Sequence, residues 1–260
     1  MNILVCVKYV PDTTEISLDG GTKSVVRDGV TSDINLLDRN AVEAALKLKE
    51  EHGGKVTVLT MGVEEAIGAI REGLAMGADE GVLISDPALK GSDSYVTAKV
   101  LAKACEKVGE YDLILMGRMT TDGNTGQLPS QLAEMLGLPQ VTFINSIEKV
   151  EGDKLTVKKA IDGGYMEVAV SMPAVVSVEK AVNEPRYPSI KGTMKANRKK
   201  VPTYAIADIG VEGETGFEGS LLEVVDAYEP SKREKGDLLE GDTNEVVDQL
   251  VNKLIESKLL

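Results

Sequence analysis

The chain has 260 residues, 42% of them hydrophobic, and a formal net charge of −13. That length allows one large domain, or one domain with an extension, and suffices for a sizeable core. So acidic a chain argues against nonspecific nucleic-acid binding and against docking on an anionic membrane, since both need clustered cations.

The N-terminal stretch MNILVCVKYVPD is too short and wrongly flanked for a signal peptide. No apolar run approaches the length of a membrane span, so a cytoplasmic protein without membrane insertion is expected. Asn2–Val7 is a continuous apolar run, and Val56–Thr60, Gly81–Ile84 and Leu113–Met116 read the same way. Such runs suit strands covered on both faces. Between them, Arg39–Glu51, Val63–Met76 and Ser94–Val108 carry apolar residues at helical spacing. Strands alternating with helices predict an α/β fold with a Rossmann-like, doubly wound parallel sheet. Ligands on such sheets bind at the carboxyl ends of the strands. Those ends fall at Lys8–Asp12, Met61-Gly62, Ser85-Asp86 and Gly117–Asn124.

The last of these opens the most informative stretch, MGRMTTDGNTGQLPS (Met116–Ser130). Small polar residues follow a buried strand and lead into a helical segment, Gln127–Leu136. Small residues let the backbone approach an anion, and free N–H groups at a helix start hold it. The loop matches neither the Walker A nor the GxGxxG pattern.

From about Val141 the pattern changes to short strands at Ile147–Val150, Leu155–Lys159 and Met166–Ser171, with Gly-containing turns between them. These predict an antiparallel addition to the sheet, and Ala174–Val178 reads as a further buried strand. Asn183–Pro202 holds three prolines and six cations and reads as a basic loop. Glu212–Glu240 is acidic and weakly periodic, and Asp242–Leu260 predicts an amphipathic helix. The expected division is a nucleotide-binding domain over 1–182, then a loop, a wrapping arm and a C-terminal helix over 183–260. Tyr187, Ile190, Met194, Tyr204, Ile206, Ile209, Leu221, Leu222, Val224 and Val225 are the arm's expected apolar anchors. The two cysteines, Cys6 in a strand and Cys105 in a helix, read as buried free thiols. His52, at a helix end before two glycines, reads as a capping or surface residue. No Ser/His/Asp set, metal cluster or carboxylate dyad is apparent in the sequence.

Several segments then agree in order: VKYVPD (Val7–Asp12), RDGV (Arg27–Val30), LAMGADEG (Leu74–Gly81), DGNTGQ (Asp122–Gln127), IDGGY (Ile161–Tyr165) and NEPRYPSIKGTMKANRKK (Asn183–Lys200). Together they closely resemble the beta subunit of electron transfer flavoproteins, over nearly the whole chain. The loop resembles the GRxxxDGDTAQ pattern of electron-bifurcating members, with Asn124 in place of an acid and Gly126 in place of Ala.

The resemblance implies FAD in the beta subunit, reduced by NADH, or AMP as a structural ligand in conventional members. It implies an alpha subunit carrying another FAD, a flavin-dependent dehydrogenase of the acyl-CoA dehydrogenase type, and ferredoxin or flavodoxin as partners. It also implies nucleotide-lining roles for Cys6, Val7, Lys8, Asn35, Asp38, Met61 and Gly62, and for Gly117, Arg118, Thr121, Asp122, Gly123, Asn124, Thr125, Gly126 and Gln127. Cys6 and Met61 supply packing in this reading, and Asn35 an adenine or ribose contact. Asp38 is equally well read as a helix cap, and Arg118 as a surface ion pair; for Thr125, Gly126 and Gln127 the strand context and the matched motif favour N–H contacts to pyrophosphate, with a Thr125 hydroxyl, over an ordinary helix start. Asp122 is read as orienting the loop, because a bare carboxylate repels phosphate. Tyr187, Ile190, Met194 and Lys195 fall in the family's partner-recognition loop, with Ile190 at its tip. The chemistry then belongs to the flavin, and the protein sets its position.

Overall fold

The structure is a computed structural model that describes residues 1–11, 17–18, 25–26, 31–211, 213–226 and 236–260. Asp12, the 27–30 motif and parts of the acidic 212–240 segment lie outside the described residues. The chain divides into two compact units, Met1–Val225 and Asp226–Leu260.

The first unit begins with β1 (Asn2–Cys6), β2 (Tyr9–Pro11), β3 (Ser17–Leu18), β4 (Val25–Val26), β5 (Ser32–Ile34) and α1 (Leu36–His52). It continues with β6 (Lys55–Met61), α2 (Ile67–Met76), β7 (Glu80–Ile84), α3 (Ser94–Val108), β8 (Leu113–Gly117) and α4 (Leu128–Leu136). Then come β9 (Gln140–Glu151), β10 (Lys154–Ile161), β11 (Gly164–Ser171), β12 (Ala174–Val178), α5 (Ile190–Arg198), β13 (Thr203–Tyr204) and α6 (Gly216–Gly219).

Nine strands form one sheet in the order β11-β10-β9-β12-β8-β1-β6-β7-β13. The run from β9 to β13 is parallel, while β10 and β11 are added antiparallel at one edge. Alternate residues of each central strand enter opposite cores, which is why the strands read as unbroken apolar runs. Ile3, Val5, Leu113 and Leu115 meet the buried faces of α1 and α2. Leu4, Cys6, Ile114 and Met116 meet α3 and α4. Cys6 and Cys105 are both buried and free. His52 ends α1, followed by Gly53 and Gly54 at φ +71° and +109°. Among the described residues no helix is long and apolar enough to cross a membrane.

Three expectations need correction. The strand expected at Ile147–Val150 runs over Gln140–Glu151, because its first part pairs with β12 and its later part with β10. The basic stretch expected as a loop contains α5, whose Ser189 Oγ accepts the Gly192 N–H at 2.9 Å as an N-cap. The helix lies on α2: Ala196 is buried, and its carbonyl accepts a bond from Arg71 Nη1 at 2.8 Å. Of the expected arm anchors, Ile209 is buried and Tyr204 and Ile206 pack against the unit's own core. Tyr187, Ile190, Met194, Leu221, Leu222, Val224 and Val225 are exposed.

The second unit contains α7 (Thr243–Glu256), as the amphipathic pattern predicts. Asp242 Oδ1 accepts the Asn244 and Glu245 N–H groups, and Glu245 returns a bond to the Asp242 N–H. Val247, Leu250, Val251 and Ile255 remain exposed along the helix.

Candidate functional site

The chain runs β1, β6, β7 toward one edge, then crosses through α3 to β8 on the other side of β1. The carboxyl ends of β1 and β8 therefore flank a topological switch point, where open α/β sheets leave a crevice. Lys8 follows β1 there, and the loop from Arg118 to Gln127 follows β8.

Asp38 joins the two strand ends. It lies in the first turn of α1, almost fully buried, and it is not the helix cap, a position held by Asn35. One carboxylate oxygen accepts the Lys8 N–H at 2.8 Å and the other the Gly117 N–H at 3.0 Å. Burial pushes its pKa up to about 7, against the opposing effect of those bonds and of Asn35. The staple also fixes residue 117 as glycine: a Cβ there would stand 2.5 Å from Asp38 Oδ1 and 2.8 Å from Leu37.

Asn35, fully buried, anchors the loop. Its Nδ2 donates to the Met119 carbonyl at 3.0 Å, and its Oδ1 accepts the Thr121 N–H at 3.3 Å. The amide expected to meet an adenine edge or ribose thus already holds the start of the loop through both its nitrogen and its oxygen. Asp122 turns inward, with its carboxylate on the Lys8 ammonium at 2.7 Å and on the Gly123 N–H at 2.8 Å. It orients the loop. Arg118 pairs with Glu179 at 2.8 Å.

Beyond Asp122 the loop is mostly exposed and unusually turned. Asn124 and Gly126 have φ of +51° and +64°, and Gln127 returns to φ −90°, ψ −30°. Successive residues of opposite hand converge their N–H groups on one concave side. The N–H groups of Thr125, Gly126 and Gln127 meet no acceptor among the described residues. They stand at the start of α4, whose second residue, Pro129, has no N–H to offer. Gln127 accepts a bond from Ser94 Oγ at 3.0 Å, which ties the loop to α3. Open N–H groups on a turn of positive φ fit an anionic phosphate.

The other strand ends are nearby parts of the same edge. The Val7 N–H donates to Leu59 at 2.9 Å, and its carbonyl accepts Thr60 Oγ1 at 2.7 Å. Met61 is half-buried at the end of β6, and the Gly62 N–H donates to Ile84 at 3.0 Å. Cys6 faces the α3 core, so it supports the site from beneath. Tyr187, Ile190, Met194 and Lys195 are all exposed and belong to or border α5, apart from the cradle residues. Among the described residues no His, Cys, Asp or Glu group is arranged for a metal ion.

Sequence reasoning missed Glu179, Ser177 and Phe143. The Phe143 N–H donates to buried Ser177 Oγ at 3.0 Å, and its ring lies 5.7 Å from the Arg118 guanidinium. An aromatic in an apolar strand gives no sequence signal that it turns toward a loop.

The family model of the electron transfer flavoprotein domain matches residues 22–209. The electron transfer flavoprotein subunit beta of Thermoanaerobacterium thermosaccharolyticum is 46% identical over 256 residues, which is 98% of each chain. The protein of the same description from Megasphaera elsdenii is 42% identical over 271 aligned residues, covering both chains fully. The caffeyl-CoA reductase-Etf complex subunit CarD of Acetobacterium woodii is 41% identical over 263, again covering both.

Proposed function

The chain belongs to the electron transfer flavoprotein family, as a subunit of the beta type, and from that premise we propose that it holds FAD in the crevice between β1 and β8. The observation that carries this reading is the set of open N–H groups at Thr125, Gly126 and Gln127, at the sheet's switch point. Those groups bind phosphate. Lys8, Asn35, Asp38 and Asp122 do not take part in chemistry in this reading; they fix the loop so that binding needs little reordering. Arg118 sets positive charge beside the ligand, tempered by Glu179. A flavin held there would supply the redox chemistry, between NADH as donor and, as acceptors, ferredoxin or flavodoxin and a flavin dehydrogenase reached through an alpha-subunit FAD. The likeness to a subunit named for a caffeyl-CoA reductase complex supports a dehydrogenase acting on an acyl-CoA. The exposed residues around α5 serve as its docking surface, and those of α7 meet the alpha subunit.

Flavin stoichiometry in the purified complex with the alpha subunit tests this. Two FAD per heterodimer, with bleaching by NADH, is the expected result. One FAD together with one AMP overturns it in favour of a structural nucleotide.

A further inference from the structure

Phe143 stands within β9 at φ +61°, where bulky side chains are rare. The pairing with β12 slips at this point: Val141 faces Val176, but Ile144 faces Val178. Strand β9 thus carries an extra residue opposite Ser177, and Ser177 Oγ accepts the displaced Phe143 N–H. Bulges of this kind re-aim side chains and cluster beside functional sites.

Here the ring is turned to the cradle. A Cβ added at Gly126 would lie 3.8 Å from Phe143 Cζ. Two cations approach the same ring, the Arg118 guanidinium at 5.7 Å and the Lys159 ammonium at 6.0 Å. Glu179 partly neutralises Arg118, as Asp122 does Lys8. No carboxylate among the described residues pairs with Lys159, which is half-buried on β10 opposite Ile144. An ammonium held near an aromatic face, with no carboxylate beside it, keeps its charge available to an incoming anion.

We infer that Phe143 and Lys159 form a second anion subsite of the cradle, which takes the second phosphate of a diphosphate ligand while the 125–127 N–H groups hold the first. The inference rests on the nucleotide reading above and deepens it: the site selects a dinucleotide or nucleoside diphosphate over a monophosphate. Phe143 acts as a positioning residue, and Lys159 as the binding group.

The test titrates the nucleotide-free complex with ADP and with AMP by calorimetry. Lys159→Gln is expected to weaken ADP binding about tenfold while AMP stays within about twofold of wild type. Phe143→Leu is expected to show the same selective loss, and Phe143→Tyr, which keeps the ring, to restore selectivity. Equal losses for both nucleotides, or no loss for either, overturn the subsite and leave the cradle standing. A wild-type complex that binds neither nucleotide overturns the cradle itself.

Discussion

Lys8 and Asp122 meet across the cradle, with Nζ 2.7 Å from one carboxylate oxygen and 2.9 Å from the other. Burial would raise the Asp122 pKa, but the Lys8 charge, with bonds from Lys8, Thr120 and the Gly123 N–H, holds it below the usual carboxylate range. A lowered pKa stabilises the fold above the unfolded value, and this is lost as pH falls through the folded one. Lys8→Met is therefore expected to cost about 1–3 kcal/mol at neutral pH. The cost should shrink below about pH 4 as Asp122 takes up a proton. Urea unfolding across that range checks it, and a penalty independent of pH contradicts it.

Asp38 has the opposite sign. Its folded pKa, raised by burial to about 7, exceeds the unfolded value, so the folded chain holds the extra proton between them. Its contribution to stability therefore falls as pH rises from about 4 to about 7 and is level above that. Asp38→Asn abolishes this slope, and it sets an amide NH2 against the Lys8 or Gly117 N–H at a cost of about 1–3 kcal/mol. The deficit relative to wild type should be largest near about pH 4 and smallest above about pH 7. A deficit that stays level across that range would show that Asp38 is ionised throughout.

The parallel sheet was legible because each central strand is buried on both faces and so appears as an unbroken apolar run, as in Leu113–Met116. The cradle was legible because its small residues follow one of those runs directly. What holds the cradle was not. Asp38 reads locally as a helix cap, and only the fold brings Lys8 and Gly117 to its two oxygens. Helix α5 was masked by three flanking prolines and dense positive charge, though Ser189 carries its capping signal. The bulge at Phe143 depends on how β9 divides its pairing between two neighbours, which no local pattern encodes.

Arg186 clamps the segment before α5 onto α1. It donates to Glu43 at 2.7 and 3.1 Å and to Glu50 at 2.6 and 3.1 Å. Asn40 and Asn183 exchange bonds beside it. Glu43 is buried, so Arg186→Gln leaves its carboxylate without a cation and should cost about 2 kcal/mol, discounted for the part-exposed guanidinium. Arg186→Lys should recover little, because an ammonium cannot bridge two carboxylates as the planar fork does. Chemical denaturation of the three chains decides this. Full recovery by Lys would mean that charge alone matters and the fork geometry does not.

Ile190 is the first residue of α5 and is 85% exposed, with Met194 one turn further on at 55%. Lys191 and Lys195 flank the pair, and Tyr187 is open beside them. An exposed apolar pair on a capped helix, ringed by cations, suits an anchor entering an apolar pocket with an acidic rim. Ile190 adds little to the fold, so Ile190→Ala should leave stability within about 0.5 kcal/mol of wild type. It should also leave flavin content unchanged, since the cradle residues do not depend on it. Electron transfer to the dehydrogenase, followed by stopped flow against acceptor concentration, should instead slow about tenfold at low acceptor and recover at high acceptor. That pattern separates lost docking from damaged chemistry, because damaged chemistry lowers the rate at every concentration. Unchanged transfer at low acceptor would remove Ile190 from the docking surface.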